Sequence, residues 1–138
     1  MSASKTEMQI ERDFFVLIKQ SSLGKAIKGT IYRSEMRPAD ATTEDLVVKF
    51  YTGVDGQVQT GTVILDIYVP DVPYGKSGRK VADKPRIGVL QELIQSFVKD
   101  NADTEYLMKT ETSPYTIEVE GIEQHCIKTR IKFNRLAQ

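Results

Sequence analysis

The chain has 138 residues, of which 40% are hydrophobic and 28% charged, a length and composition typical of one globular domain with a single core. Its 19 basic side chains balance its 19 acidic ones, which excludes a global field attracting nucleic acid or anionic membrane. The apolar runs are far shorter than the roughly 20 residues that span a bilayer, so no membrane span is expected. With no secretory signal pattern and a lone cysteine, Cys126, the sequence predicts a cytoplasmic protein.

The first part of the chain is predicted to contain a polar, disordered start and an amphipathic helix. Residues 1–6 are small and polar and predict disorder, so the single α+β domain is expected over residues 7–138. Apolar side chains recur at helical spacing from Glu7 to Leu23. Gly24 can take the left-handed conformation that closes a helix, and we expect the helix to stop there.

A β-hairpin is predicted after a short extended arm (26–32) and a polar loop (37–43). Alternation of apolar and polar residues over 44–52 indicates a strand. The Asp55-Gly56 pair is typical of a tight turn, so the next strand, over 57–69, is expected to return antiparallel. Because its outward face is half apolar, this second strand is predicted to be central in the sheet or covered by a partner.

A second helix and further strands follow a loop rich in proline, glycine and cations, 70–84, which is predicted to be exposed and mobile. Asp83 can cap the helix, which is expected to end near Asp100. The remaining strands are predicted over 105–110, 115–119 and 124–136, with a break at Ser113-Pro114. In the last strand, one apolar face alternates with cations; its members are Ile127, Thr129, Ile131 and Phe133.

The order of these elements predicts an α+β fold. We expect an antiparallel or mixed β-sheet of about five to six strands, with two helices packed on one face. No internal repeat or linker divides the chain.

No catalytic, cofactor-binding or metal-ligating residues are expected. The Gly75-Lys76-Ser77 string lacks the first glycine of a phosphate loop, because Pro70 stands at its position. His125 and Cys126 are neighbours on a strand, so alternation sends them to opposite faces, where they cannot act as base and nucleophile. Acidic pairs such as Glu44-Asp45 are interpreted as solvated charges. The chain is therefore predicted not to be an enzyme.

Contact residues are instead expected in the cationic loop and among the tyrosines. A half-exposed tyrosine offers a large contact area at little entropic cost, as at Tyr68, Tyr74 and Tyr115, although packing at the edge of the core is an alternative role. The loop's excess of cations suits an acidic partner or a nucleic-acid backbone, with a plain solvated loop as the alternative. A cross-strand pair of Tyr51 and Tyr68 is also predicted. The candidate interface residues are Tyr68, Tyr74, Lys76, Arg79 and Lys80.

Several short residue strings occur in an order that is found in a known protein family. They are Gly29-Thr30-Ile31-Tyr32, Arg37-Pro38, Glu44-Asp45-Leu46-Val47-Val48, Gln59-Thr60-Gly61-Thr62-Val63 and Ile67-Tyr68-Val69-Pro70-Asp71. Over residues 7–136, the chain resembles the tail-terminator, or tail-completion, proteins of long-tailed bacteriophages and the related prophage proteins.

The resemblance implies a small, non-enzymatic α+β subunit that assembles into a ring-like homo-oligomer at the head-proximal end of the tail tube. Its partners would be its own copies, the tail-tube and head-connector proteins and, non-specifically, DNA in the channel. It would act in the bacterial cytoplasm and then in the virion, with the loop at 70–86 facing a neighbouring subunit or the channel. The alternative is a stand-alone adaptor module that binds a protein or peptide.

Overall fold

A five-stranded mixed sheet with helices on one face forms the body of the protein. The computed structural model describes residues 4–101 and 105–136. The sheet has the strand order β1-β2-β3-β7-β6, in which β1 and β2 are parallel and all other neighbours antiparallel. These observations confirm the predicted α+β fold. In chain order the elements are α1 (Glu7–Gln20), α2 (Ser22–Ala26), β1 (Ile31–Arg33), β2 (Asp45–Val54), β3 (Val58–Pro70), β4 (Val72–Pro73), β5 (Lys80–Val81), α3 (Lys84–Asp100), β6 (Tyr106–Val119) and β7 (Gln124–Leu136).

The N-terminal helical region is two helices rather than one. The Ser21 hydroxyl donates to the carbonyl of Ile18 at 2.6 Å and accepts the N–H of Gly24 at 3.2 Å, so it closes α1 and caps α2. Local side-chain hydrogen bonds of this kind compete with helix continuation. The prediction that Gly24 stops the first helix is therefore wrong, since Gly24 lies inside α2.

Residues 4–6, which were expected to belong to a disordered start, make defined contacts. Thr6 caps α1 and forms a capping box with Gln9. The backbone N–H of Lys5 donates to Gln59 Oε1 at 3.1 Å, and its side chain lies 2.6 Å from Asp13 Oδ2. These contacts anchor the start of α1 to β3. The rest of the expected disordered segment, residues 1–3, lies outside the described residues.

One continuous core lies between the helices and the sheet. The predicted inner face of β7 is confirmed, because Ile127, Thr129, Ile131 and Phe133 are all fully buried. Phe133 packs against the rings of Phe14 and Tyr106 at centroid distances of 5.7 and 5.3 Å. The predicted central position of the second hairpin strand is also confirmed, since β3 lies between β2 and β7. Asp83 caps α3 as expected, accepting the N–H of Arg86.

The predicted break at Ser113-Pro114 does not divide the strand. β6 runs through it, with register shifts against β7 between Thr110 and Thr112 and between Thr112 and Tyr115. Because β6 is an edge strand, the missing N–H of proline can face outwards without loss of a ladder bond. A bulged strand therefore replaces the two predicted strands.

The segment predicted as a mobile loop contains a small hydrogen-bonded hairpin. β4 pairs with β5, and the N–H of Tyr74 donates to the carbonyl of Arg79 at 2.8 Å. The Ser77 hydroxyl donates to the Tyr74 carbonyl at 2.8 Å and accepts the Arg79 N–H at 3.2 Å. Gly75 and Gly78 have φ values of 58° and 76°, which glycine adopts without a steric penalty. We call residues 72–81 the β4–β5 hairpin.

Candidate interaction surfaces

The sheet face opposite the helices, called here the helix-free face, carries aromatic and cationic side chains. Tyr51 and Tyr115 are exposed on it. The guanidinium carbon of Arg130 lies 4.7 Å from the centroid of the Tyr51 ring, a cation–π arrangement. The predicted cross-strand pair of Tyr51 and Tyr68 is wrong, because a bulge follows Phe50 and Tyr68 lies opposite Asp45.

A fully buried carboxylate, Asp66, lies at the centre of the helix-free face. Its two oxygens are 2.8 Å from Lys49 Nζ and 3.3 Å from Lys128 Nζ. Burial alone would lower the pKa of Lys49, but the hydrogen bond to Asp66 and the attraction of the Asp66 charge together outweigh burial and raise the pKa. The two ion pairs hold both lysine side chains over Asp66, and their aliphatic stems can cover the carboxylate.

A loop over residues 34–44 is held by buried ion pairs and covers one end of this face with Arg37. Arg37 stacks on Tyr68 at 4.0 Å, and its Nε donates to Asp45 Oδ2 at 2.9 Å. Arg86 holds Glu44 through hydrogen bonds of 2.7 and 2.9 Å. The interpretation of Glu44-Asp45 as solvated charges is wrong, since both are buried and paired.

The pKa of Glu44 reflects this pairing. Burial alone would raise it, but the hydrogen bonds from the Arg86 guanidinium and the Lys28 N–H, together with the attraction of these positive charges, outweigh burial and hold the pKa below 4.5. Glu44 therefore stabilises the fold as a carboxylate.

Four of the five candidate interface residues lie in the β4–β5 hairpin. Tyr74 is 59% exposed, with the Arg79 guanidinium 5.4 Å from its ring centroid. Lys76 is exposed in the turn, and Lys80 lies 3.2 Å from Glu123 at the β6–β7 turn. The fifth, Tyr68, lies apart on β3 and is half-buried beneath Arg37. The structure therefore groups the hairpin residues and separates Tyr68 from them.

A groove of about 690 Å³, called here the β1 groove, was not predicted from the sequence. Met8 and Met36 at its border are 52% and 67% exposed. Glu11 and Arg33 form an ion pair of 2.8 Å within it. In the sequence, the signal for this surface is the position of these two methionines in otherwise polar segments. The groove is lined by Glu7, Met8, Glu11, Phe15, Ile31, Tyr32, Arg33, Ser34, Glu35, Met36 and Phe50.

Two unpaired carboxylates lie along the β1 groove. Glu7 and Glu35 are exposed, and neither has an ion-pair partner among residues 4–101 and 105–136. Glu35 also has a φ of 69°, a conformation that costs a non-glycine residue about 1–2 kcal/mol. The turn after β1 is therefore held in a conformation that its own residue type does not favour, and it presents Glu35 to solvent.

The one His-Asp pair does not face the cysteine. His125 Nδ1 lies 2.6 Å from Asp71 Oδ1. The neighbouring Cys126 lies on the helix-free side of β7 under other side chains, and burial raises the pKa of its thiol to about 12. The thiol is therefore protonated at neutral pH and a poor nucleophile.

Within the described ranges, no three or more His, Cys, Asp or Glu side chains are arranged to hold a metal ion. None of the helices in this part of the chain has the length and apolar character needed to cross a bilayer. The chain matches no protein-family model and no curated protein.

Proposed function

We propose that the chain is a structural subunit of a phage or prophage tail, which forms a ring at the head-proximal end of the tail tube. The observation that carries the proposal is the presence of three dissimilar exposed surfaces on one small fold. These are the helix-free face, the β4–β5 hairpin and the β1 groove. A ring subunit needs two different surfaces for its two neighbours and further surfaces for axial partners.

The element order supports the same proposal. An N-terminal helical region, an arm, a long antiparallel hairpin, α3 and final strands follow one another, as the resemblance to tail terminators implies. Assembly would take place in the bacterial cytoplasm before incorporation into the virion. Tail-tube and head-connector proteins are the proposed axial partners, and cations such as Lys109 and Lys132 on the helix-free face offer non-specific contact with DNA phosphates.

Light scattering coupled to size-exclusion chromatography tests the proposal. The protein would be run over a wide concentration range at two salt strengths, and its peak examined by negative-stain electron microscopy. We expect one discrete oligomer and closed rings with a central hole. A strict monomer at every concentration, without rings on the grid, would contradict the proposal.

One observation favours the alternative of a peptide-binding adaptor. β1 pairs only with Leu46, Val47 and Val48, so the outer edge of β2 from Lys49 to Val54 has no strand beside it in the described structure. An extended peptide can add a strand to such an edge. A monomer that binds an extended peptide saturably, and loses binding when proline replaces Thr52, would favour the adaptor.

A further inference from the structure

The β4–β5 hairpin is a preorganised projection with an aromatic group and unpaired cations. Its turn is fixed by the Ser77 hydroxyl, so little conformational entropy would be lost when it binds a partner. Tyr74 exposes more than half of its surface, next to Arg79. Within the described residues, Lys76 and Arg79 have no ion-pair partner, and the segment from 72 to 81 contains no acidic residue. Its chemistry is complementary to an acidic, partly apolar surface.

The β1 groove has the complementary chemistry. Met8 and Met36 are polarisable and flexible, and thioethers make favourable contacts with aromatic rings. Phe15 and Phe50 add apolar lining, and the unpaired Glu7 lies along the same groove as Glu35. An aromatic side chain flanked by cations therefore fits this groove in both polarity and charge.

We infer that the β4–β5 hairpin of one copy docks in the β1 groove of the next, with Tyr74 against the methionines and with Lys76 and Arg79 facing Glu7 and Glu35. The inference rests on the proposed ring and names the contact that would close it. The hairpin follows β3 and contacts the β6–β7 turn, whereas the groove lies between α1 and the β1 edge of the sheet. One copy therefore uses different surfaces for its two neighbours, which is the head-to-tail arrangement that forms a ring when the rotation from copy to copy closes.

Paired charge reversals test this contact on the full chain. The hairpin variant is Lys76→Glu with Arg79→Glu, and the groove variant is Glu7→Lys with Glu35→Lys. Each places like charges across the contact, which weakens association on the order of 100-fold. The measurement is the concentration at which half of the protein is assembled, followed by light scattering.

Rescue separates a direct contact from a general loss of charge. All four substitutions in one chain restore opposite charges, so assembly is expected to return to within about tenfold of the wild type. Mixing the two double variants is also expected to restore oligomers, since each then offers a matching surface to the other. Lys25→Glu with Lys99→Glu, at exposed sites in α2 and α3, is a control with the same charge change as the hairpin variant, and it is expected to assemble normally.

The outcomes distinguish the inference from the proposed function. If the wild type assembles and either double variant assembles equally well, the hairpin–groove contact is wrong while the ring proposal stands. Failure of the four-fold variant to recover, with circular dichroism showing an intact fold, would also overturn the contact. A wild-type protein that never assembles contradicts both.

Discussion

Replacing Arg37 with methionine tests whether one buried cation holds the loop over the helix-free face. The Arg37 side chain is 8% exposed, and its Nε donates to Asp45 Oδ2 at 2.9 Å. Its Nη2 donates to the carbonyls of Ala41 and Thr43 at 3.2 and 3.0 Å. Methionine keeps an apolar contact with Tyr68 but removes every one of these donors.

The expected cost follows from what Asp45 retains. Asp45 is fully buried, yet it still accepts hydrogen bonds from the Thr30 N–H at 2.8 Å and the Thr43 hydroxyl at 2.7 Å. Removing one partner of a buried ion pair costs about 3–5 kcal/mol. The two remaining hydrogen bonds favour the lower end of that range, about 3 kcal/mol. For a domain of this size, that corresponds to a fall of roughly 10 °C in Tm.

Urea unfolding followed by circular dichroism measures the loss. Arg12→Met is the matched control, because this arginine is exposed in α1 and its replacement is expected to change the free energy of unfolding by less than about 0.5 kcal/mol. A loss below about 1 kcal/mol at Arg37 would refute the reasoning. It would show that Asp45 does not depend on the guanidinium.

Three further predictions concern other parts of the structure. The folded pKa of Glu44 lies below 4.5. Its contribution to stability is therefore complete above that pH and is lost as the pH falls through the folded pKa. In urea unfolding at a series of pH values, Glu44→Gln should lose less stability on acidification than the wild type. Gly61→Ala should cost about 1–3 kcal/mol, because a Cβ there would lie 2.6 Å from a backbone oxygen. Gly88→Ala, in open space in α3, should instead gain about 0.5–1 kcal/mol, and equal effects at the two glycines would contradict both assignments. Thr129→Val should raise Tm, because it removes a buried hydroxyl that has no hydrogen-bond partner in the described structure. The expected gain in the free energy of unfolding is about 1 kcal/mol. A lower Tm would mean that packing around the hydroxyl dominates.

The elements that could be predicted from the sequence are those that depend on local rules. The alternation in β7 needs only the period-two geometry of a strand, and every inner position from Ile127 to Phe133 is buried. The cap at Asp83 needs only a side-chain oxygen three residues before an N–H. The hairpin between β2 and β3 follows from its turn residues.

The errors arise where the outcome depends on distant parts of the chain. A proline such as Pro114 would break a strand in the centre of a sheet. It is tolerated in β6 because the sheet order places that strand at an edge. Glu44 is buried because Arg86, forty-two residues away in the chain, lies beside it. The β1 groove is made by α1, β1 and β2 together, so no single segment carries its pattern.

Several of the strings on which the expected resemblance to tail terminators rests contain residues that hold the fold. A Cβ at Gly29 would collide with the carbonyl oxygen of Glu44 and the carboxylate of Asp45, and Arg37 binds that same carboxylate. Gln59 holds the start of α1 through the backbone of Lys5. These strings are therefore constrained by packing and buried hydrogen bonds, whatever the protein binds.

The proposed contact residues, in contrast, contribute little to the stability of the fold. Tyr74, Lys76 and Arg79 are exposed in a turn, and Glu7 and Glu35 lie in the open β1 groove, so their replacement costs the fold little. Substitutions in the hairpin and the groove can therefore alter the binding of a partner without unfolding the protein. The charge-reversal pairs therefore test the proposed contact independently of the buried residues that hold the scaffold.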